Sequence, residues 1–192
     1  MNSKEPLKCN IIPDIAIISS RVRTGRASHR VALYFKNYLE TNKLATVELL
    51  DLNEYQFPVA DERIRFQQDP SKEIPDFAGK IKIAYGVIMV TPEYNGGYPA
   101  SFKNVLDFLY DEWCRKPIAI ATVSNGILEG SQVITSLQFS LWKIRDCTVP
   151  AMFPVPKVQE AFDENGIPAD KRAAGFINEL RWCMEAKTKM DS

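Results

Sequence analysis

The chain has 192 residues, enough for one domain with a core of its own and no need of disulfide or metal staples. Hydrophobic residues make up 45% and charged residues 25%, the balance of a soluble globular protein rather than a disordered one. The 24 basic and 24 acidic residues cancel, which argues against a partner such as nucleic acid or an anionic membrane and against an acidic docking carrier.

Residues 1–13 read as a flexible leader without the apolar stretch of a signal peptide, and residues 14–192 as a single domain. Asp14–Ser20 is the first strand, rich in β-branched residues as a strand buried on both faces requires. A helix over about Ser28–Thr41 follows, with Val31, Tyr34, Phe35, Tyr38 and Leu39 on one face. Thr46–Leu52 is the second strand. A charged loop containing Pro58 leads to a helix over about Ser71–Tyr85, which Pro75 delays or kinks. Gly86–Thr91 is the third strand, stopped by Pro92, and Ala100–Glu112 a helix whose apolar face is Phe102, Val105, Leu106 and Leu109. Pro117–Val123 is the fourth strand, Ser131–Ile144 a helix, Thr148–Pro154 the fifth strand, and about Ala169–Lys187 the last helix. The longest apolar runs, Gly86–Val90 and Ile118–Val123, fall far short of the ~20 residues of a membrane helix. Five strands alternating with five helices predict an α/β three-layer doubly wound domain. Right-handed crossovers then gather the loops after the strands at one edge, where such folds bind ligands.

Three of those loops converge on one chemistry. Ser20–Ser28 carries Arg21, Arg23, Arg26 and Gly25 and opens a helix, and free N–H groups with arginines and hydroxyls favour a phosphate. It is neither a P-loop nor a GxGxxG turn, since Gly25 is its only glycine. A surface loop with Ser28 as a simple N-cap is the alternative reading. Thr91–Pro99, with two prolines and two adjacent glycines, makes a tight backbone that exposes Tyr94, Asn95 and several N–H groups, suited to the edge of a planar heteroaromatic ring. In Ser124–Gly130, Ser124, Asn125 and Gly126 could close the other side of such a ring, and Gly130 allows close approach at the next helix start.

His29 is the only histidine. It reads as solvent-facing or capping, with phosphate contact as the first alternative and proton chemistry, for which the sequence offers no credible Ser/His/Asp or Cys/His set, as the last. Cys9, Cys114, Cys147 and Cys183 are widely spaced and form no metal-ligand pattern. They read as free, mostly buried thiols of a reducing cytoplasm.

The string Pro92-Glu93-Tyr94-Asn95-Gly96-Gly97-Tyr98-Pro99-Ala100-Ser101-Phe102-Lys103-Asn104-Val105-Leu106-Asp107 resembles the flavin-loop motif of the NADPH-dependent FMN reductase family. Arg23, Gly25 and Arg26 match that family's phosphate loop, while Ser20 and Arg21 stand where it usually has Gly and Ser. The third loop resembles the family's S-x-G-G segment, with Asn125 and Gly126 in place of two glycines, and the likeness extends over about residues 14–185. The resemblance implies a flavodoxin-like fold with a five-stranded parallel sheet in the order 2-1-3-4-5. It implies FMN as cofactor and NAD(P)H as co-substrate, with electrons passed to a small-molecule acceptor such as a quinone, an azo dye, a metal oxyanion or free flavin.

On that implication the flavin carries the chemistry and no protein acid or base is essential. Arg21, Arg23, Arg26 and Ser28 would hold phosphate, and Pro92, Glu93, Tyr94, Asn95 and Gly96, with Ser124, Asn125 and Gly126, the ring. Assembly as a homodimer or homotetramer is implied too, with Tyr94, Tyr98 and Trp113 near the interface. A flavodoxin-type electron carrier is the competing reading; the absence of an acidic surplus and the second loop argue against it.

Overall fold

The computed structural model describes residues 12–126, 130–169 and 173–191. Its strands are β1 (Asp14–Ser19), β2 (Thr46–Asp51), β3 (Gly86–Pro92), β4 (Pro117–Val123) and β5 (Cys147–Val155). They form one all-parallel sheet in the order β2-β1-β3-β4-β5. The helices are α1 (Ala27–Thr41), α2 (Glu73–Ile83), α3 (Ala100–Phe108), α4 (Ser131–Lys143), the single turn α5 (Val158–Ala161) and α6 (Ala173–Asp191).

Alternation along each central strand sends side chains to two cores, one on each face of the sheet. Ile15, Ile17, Ile88, Val90, Ala119 and Ala121 face α1 and α6. Ala16, Ile18, Val87, Met89, Ile118 and Ile120 face α2, α3 and α4. Both sets are apolar, so β1, β3 and β4 read in the sequence as continuous hydrophobic runs rather than alternating ones.

The expected faces of α1 and α3 are buried, but α3 stops at Phe108 rather than at Glu112. Leu109 turns extended (φ −107°, ψ 154°), and the turn that follows drives Trp113 fully into the core. Burying that indole outweighs another helical turn, and it removes Trp113 from any interface. Two elements went unread: the 3-10 turn Ile64–Phe66 and α5. Each is too short to show a period. Cys114, Cys147 and Cys183 are free but only half-buried, against the expectation of burial; Cys9 lies outside the described residues. So does the leader as far as residue 11, whereas the Pro13 carbonyl already accepts from the Thr46 N–H (2.9 Å).

The segment after α5 returns across α1. Arg30 Nη1 donates to the Phe162 carbonyl (3.0 Å) and Asn37 Nδ2 to that of Asn165 (3.2 Å). Gly166 (φ +77°) packs so closely that a Cβ there would stand 2.6 Å from the Arg30 carbonyl oxygen and the Tyr34 nitrogen. These contacts pin the helix whose N-terminus carries the first site loop.

Candidate functional site

The chain leaves β1 toward α1 on one face of the sheet and leaves β3 toward α3 on the other. The adjacent strands β1 and β3 therefore open a crevice at their C-terminal ends, the switch point of a doubly wound sheet. All three loops singled out in the sequence stand at this edge.

A cleft of about 490 Å³ runs between them. Arg21 lines it from the first loop; Pro92, Glu93 and Tyr94 from the second; Ser124, Asn125 and Gly126 from the third. Arg23, Arg26, Ser28, Asn95 and Gly96 are not among its lining. Val123, Gly130 and Val158 complete the wall. Val158 could not be read in advance, because α5 gave no periodic signal.

The first loop is rich in donors that lack acceptors. The Ser20 and Ser28 hydroxyls are fully buried, and neither oxygen has a hydrogen-bond partner among the described residues. Arg21 Nε is buried and likewise has no partner among the described residues, while its Nη2 makes a long bond to the Thr24 carbonyl (3.4 Å). Ser28 is the second residue of α1 and not its cap; Arg26 is the N-cap, with no side-chain capping bond. An unmatched buried donor costs about 1–3 kcal/mol, so three together at a helix start mark a place where an acceptor belongs. Gly25 (φ +73°) supplies the left-handed turn before the helix.

The structure places Arg26 differently from the other two arginines. Its Nη2 donates to Asp51 Oδ2 at the end of β2, and its Nε to the Arg21 carbonyl (3.1 Å). Asp51 is almost fully buried and also accepts from the Asn53 N–H (3.0 Å). His29 is neither solvent-facing nor capping. Its Nδ1 lies 3.0 Å from Ser19 Oγ and 3.1 Å from Arg26 Nη2, with Asp51 Oδ2 at 3.5 Å. Burial pushes its pKa below the usual value; Asp51 opposes that shift and Arg26 adds to it. A neutral ring with Nδ1 as acceptor satisfies both hydroxyl and guanidinium donors.

The second loop is shaped by backbone. Tyr94 and Gly97 exchange both backbone hydrogen bonds (2.8 and 3.0 Å) across Asn95 (φ +53°) and Gly96 (φ +79°). Two positive φ values at an Asn-Gly pair are the pattern of a type I′ turn. Tyr98 Oη bonds Ser140 Oγ of α4 (2.7 Å), and Glu93 Oε2 accepts from the Gln132 N–H in the first turn of that helix (3.2 Å). The Arg23 guanidinium lies over the Tyr94 ring, 4.1 Å from its centroid, and so joins the first loop to the second. The Tyr94 hydroxyl is buried without a partner among the described residues.

The third loop is tied to its neighbour. Ser124 Oγ accepts from the Gly126 N–H (2.9 Å), and Lys157 N–H and Val158 N–H donate to the Gly126 and Ser124 carbonyls (3.2 and 3.1 Å). Gly130 (φ +70°) makes the expected close approach, with Thr122 Cβ 3.1 Å from where a Cβ would stand. Residues 127–129 lie outside the described ones.

The sequence reading missed the Ser20 hydroxyl and Asp51. A signal for Asp51 existed: it is an acidic residue at the end of a strand neighbouring the one that leads into three arginines.

Comparison with known proteins gives these surfaces a context. The family model described as NADPH-dependent FMN reductase matches residues 13–160. An NAD(P)H-dependent FMN reductase of Schizosaccharomyces pombe is 33% identical over 146 residues, covering 74% of this chain and 72% of the relative. One from Saccharomyces cerevisiae is 28% identical over 137 residues, covering 65% and 71%. Among solved structures, the flavoenzyme NAD(P)H:(acceptor) oxidoreductase FerB from Paracoccus denitrificans superposes with a TM-score of 0.71 at 20% identity, covering 93% of this chain and 98% of that one. An NAD(P)H:quinone oxidoreductase from Methanothermobacter marburgensis gives 0.59 at 14%, covering 95% and 98%. At those identities the structures speak for the fold, which is flavodoxin-like.

Proposed function

The chain belongs to the NADPH-dependent FMN reductase family, and from that premise we propose that it is an NAD(P)H-dependent, FMN-containing oxidoreductase with the cleft between the three loops as its flavin site. One observation carries the placement: the buried, acceptor-less donors Ser20 Oγ, Ser28 Oγ and Arg21 Nε beside a cleft at the switch point. A phosphate monoester offers only acceptors and negative charge, which is what such a set lacks. The residues present therefore fit FMN.

The chemistry that FMN supplies when bound is hydride acceptance from NAD(P)H and onward reduction of a small acceptor such as a quinone, an azo compound or free flavin. The chain's own part is to bind and orient. Arg21, Arg23, Ser20 and Ser28 hold the phosphate, with Arg26 behind them. Pro92–Gly96 present a rigid edge to the ring, and Ser124, Asn125 and Gly126 close its other side. No acid or base of the chain is needed at the reacting atoms.

Residues 14–192 form one FMN-binding domain in this reading. Assembly as a homodimer or homotetramer is part of it, supported by the exposed aromatic pair Phe139 and Trp142 on α4. Residence in the cytoplasm is supported by the free thiols Cys114, Cys147 and Cys183. No helix among the described residues is long and apolar enough to cross a membrane.

The test is to load the purified chain with FMN, remove oxygen and add NADPH or NADH. The flavin absorption should bleach within seconds and return on adding a quinone. A yellow protein that stays oxidised until a partner reductase is supplied would be an electron carrier instead. A chain that binds no FMN would overturn the assignment.

A further inference from the structure

Arg26 sits on a phosphate-type loop yet spends its guanidinium inside the protein. Nη2 reaches Asp51 Oδ2 and Nε reaches the carbonyl of Arg21, the residue that lines the cleft. Asp51 is almost fully buried, fixed in turn by the Asn53 N–H, and held in register beside Ser19 on β1. An ion pair this well covered is not screened like a surface one, and breaking it leaves a charge without compensation. Through the Nε bond the pair dictates where the backbone of Arg21 runs. Ser20 and Arg21 carry two of the unmatched donors.

We propose, resting on the reading above, that Asp51 and Arg26 form a brace that shapes the phosphate loop from behind, with Asp51 a positioning residue for the FMN phosphate and Arg26 not itself a phosphate ligand. The brace acts on phosphate and not on the flavin ring. The ring's proposed contacts belong to the second and third loops, which take their shape from the Asn95-Gly96 turn and from bonds to residues 155–158. The dissociation constants of FMN and riboflavin therefore read the two halves of the ligand separately.

The experiment measures both constants by fluorescence quenching for the unmodified chain, Asp51→Asn, Arg26→Met and the double variant, with a thermal melt for each. Asp51→Asn keeps the volume and an acceptor for the Asn53 N–H, so it is the variant safest for the fold. Each single change should weaken FMN about tenfold and riboflavin less than about twofold. The double variant should be no weaker than the worse single one, as for two residues acting as a unit.

Three results would overturn the brace. Loss of FMN with Arg26→Met but not with Asp51→Asn would make Arg26 a direct ligand. Losses that multiply in the double variant would make the two residues independent. A fall in riboflavin affinity as large as that of FMN would make the pair a general structural element. If the unmodified chain binds neither flavin, the proposed function falls and the brace with it; if it prefers FMN and every variant keeps that preference, the brace alone falls.

Discussion

The first and second loops of the cleft are built by opposite means. The Ser20–Ser28 loop is positioned by side chains and charge: Arg26 to Asp51, His29 to Ser19, and Arg23 over Tyr94. The Thr91–Pro99 loop is positioned by its own backbone, through a two-residue turn with positive φ at Asn95 and Gly96. A loop shaped by a covered ion pair loses its form when either partner is removed. A loop shaped by backbone geometry keeps its form and fails only when a residue cannot adopt it. The difference suits a ligand with a charged end and a flat end.

The largest expected effect attacks the backbone. Gly96→Val forces a β-branched residue to φ +79°, at a cost of about 2 kcal/mol. The nearest atom to the new Cβ, Gln132 Oε1 at 3.1 Å, ends a flexible side chain, so the cost is conformational strain more than a clash. The urea midpoint should fall, and FMN and riboflavin should weaken together. An unchanged midpoint would mean that the turn is not held as described.

A smaller effect attacks the bridge between the loops. Arg23→Ala removes the cation–π contact of an exposed guanidinium, worth about 0.5–1 kcal/mol, and a cation from the phosphate end. FMN affinity should drop several-fold with little change in stability. Equal weakening of riboflavin would place Arg23 at the ring instead.

The smallest effect is on pH. Burial lowers the pKa of His29, so the folded chain takes up its proton later than the unfolded one. Its contribution to stability is intact above the ordinary histidine value of 6.5 and is lost as pH falls from there through the folded pKa. Asp146 works in the opposite sense, since burial raises its pKa to about 6 and its contribution is lost as pH rises through that value. The difference between the unmodified chain and His29→Gln isolates the histidine: the variant should lose less stability between pH 7.5 and 5.5. Identical pH profiles would show that His29 is not held neutral by its surroundings.

The contrast between the loops also governs what could be read in advance. The second loop lies in one stretch of chain, and its Asn-Gly pair and flanking prolines specify the turn locally, so its position and rigidity were legible. The apolar runs of β1, β3 and β4 gave the sheet for the same local reason. The first loop was legible as an arginine-rich turn between β1 and α1 but not in its internal order. Asp51 lies 25 residues from Arg26, and only the β1–β2 register brings them together. His29 looked like a surface residue because its partners come from β1, the loop and β2. The end of α3 was misplaced because a long-range demand, burial of Trp113, overrode a helical pattern that ran on to Glu112.

The central claim is that phosphate and ring are held by different loops, and paired titrations with FMN and riboflavin test it most directly. Arg21→Ala combined with Arg23→Ala should weaken FMN at least about tenfold and riboflavin less than about twofold, since losing even one charge-assisted bond costs roughly 1.5–3 kcal/mol. Asn95→Leu should weaken both ligands by the same factor. Equal loss of both ligands in the arginine variant, or selective loss of FMN in the Asn95 variant, would contradict the division of the site.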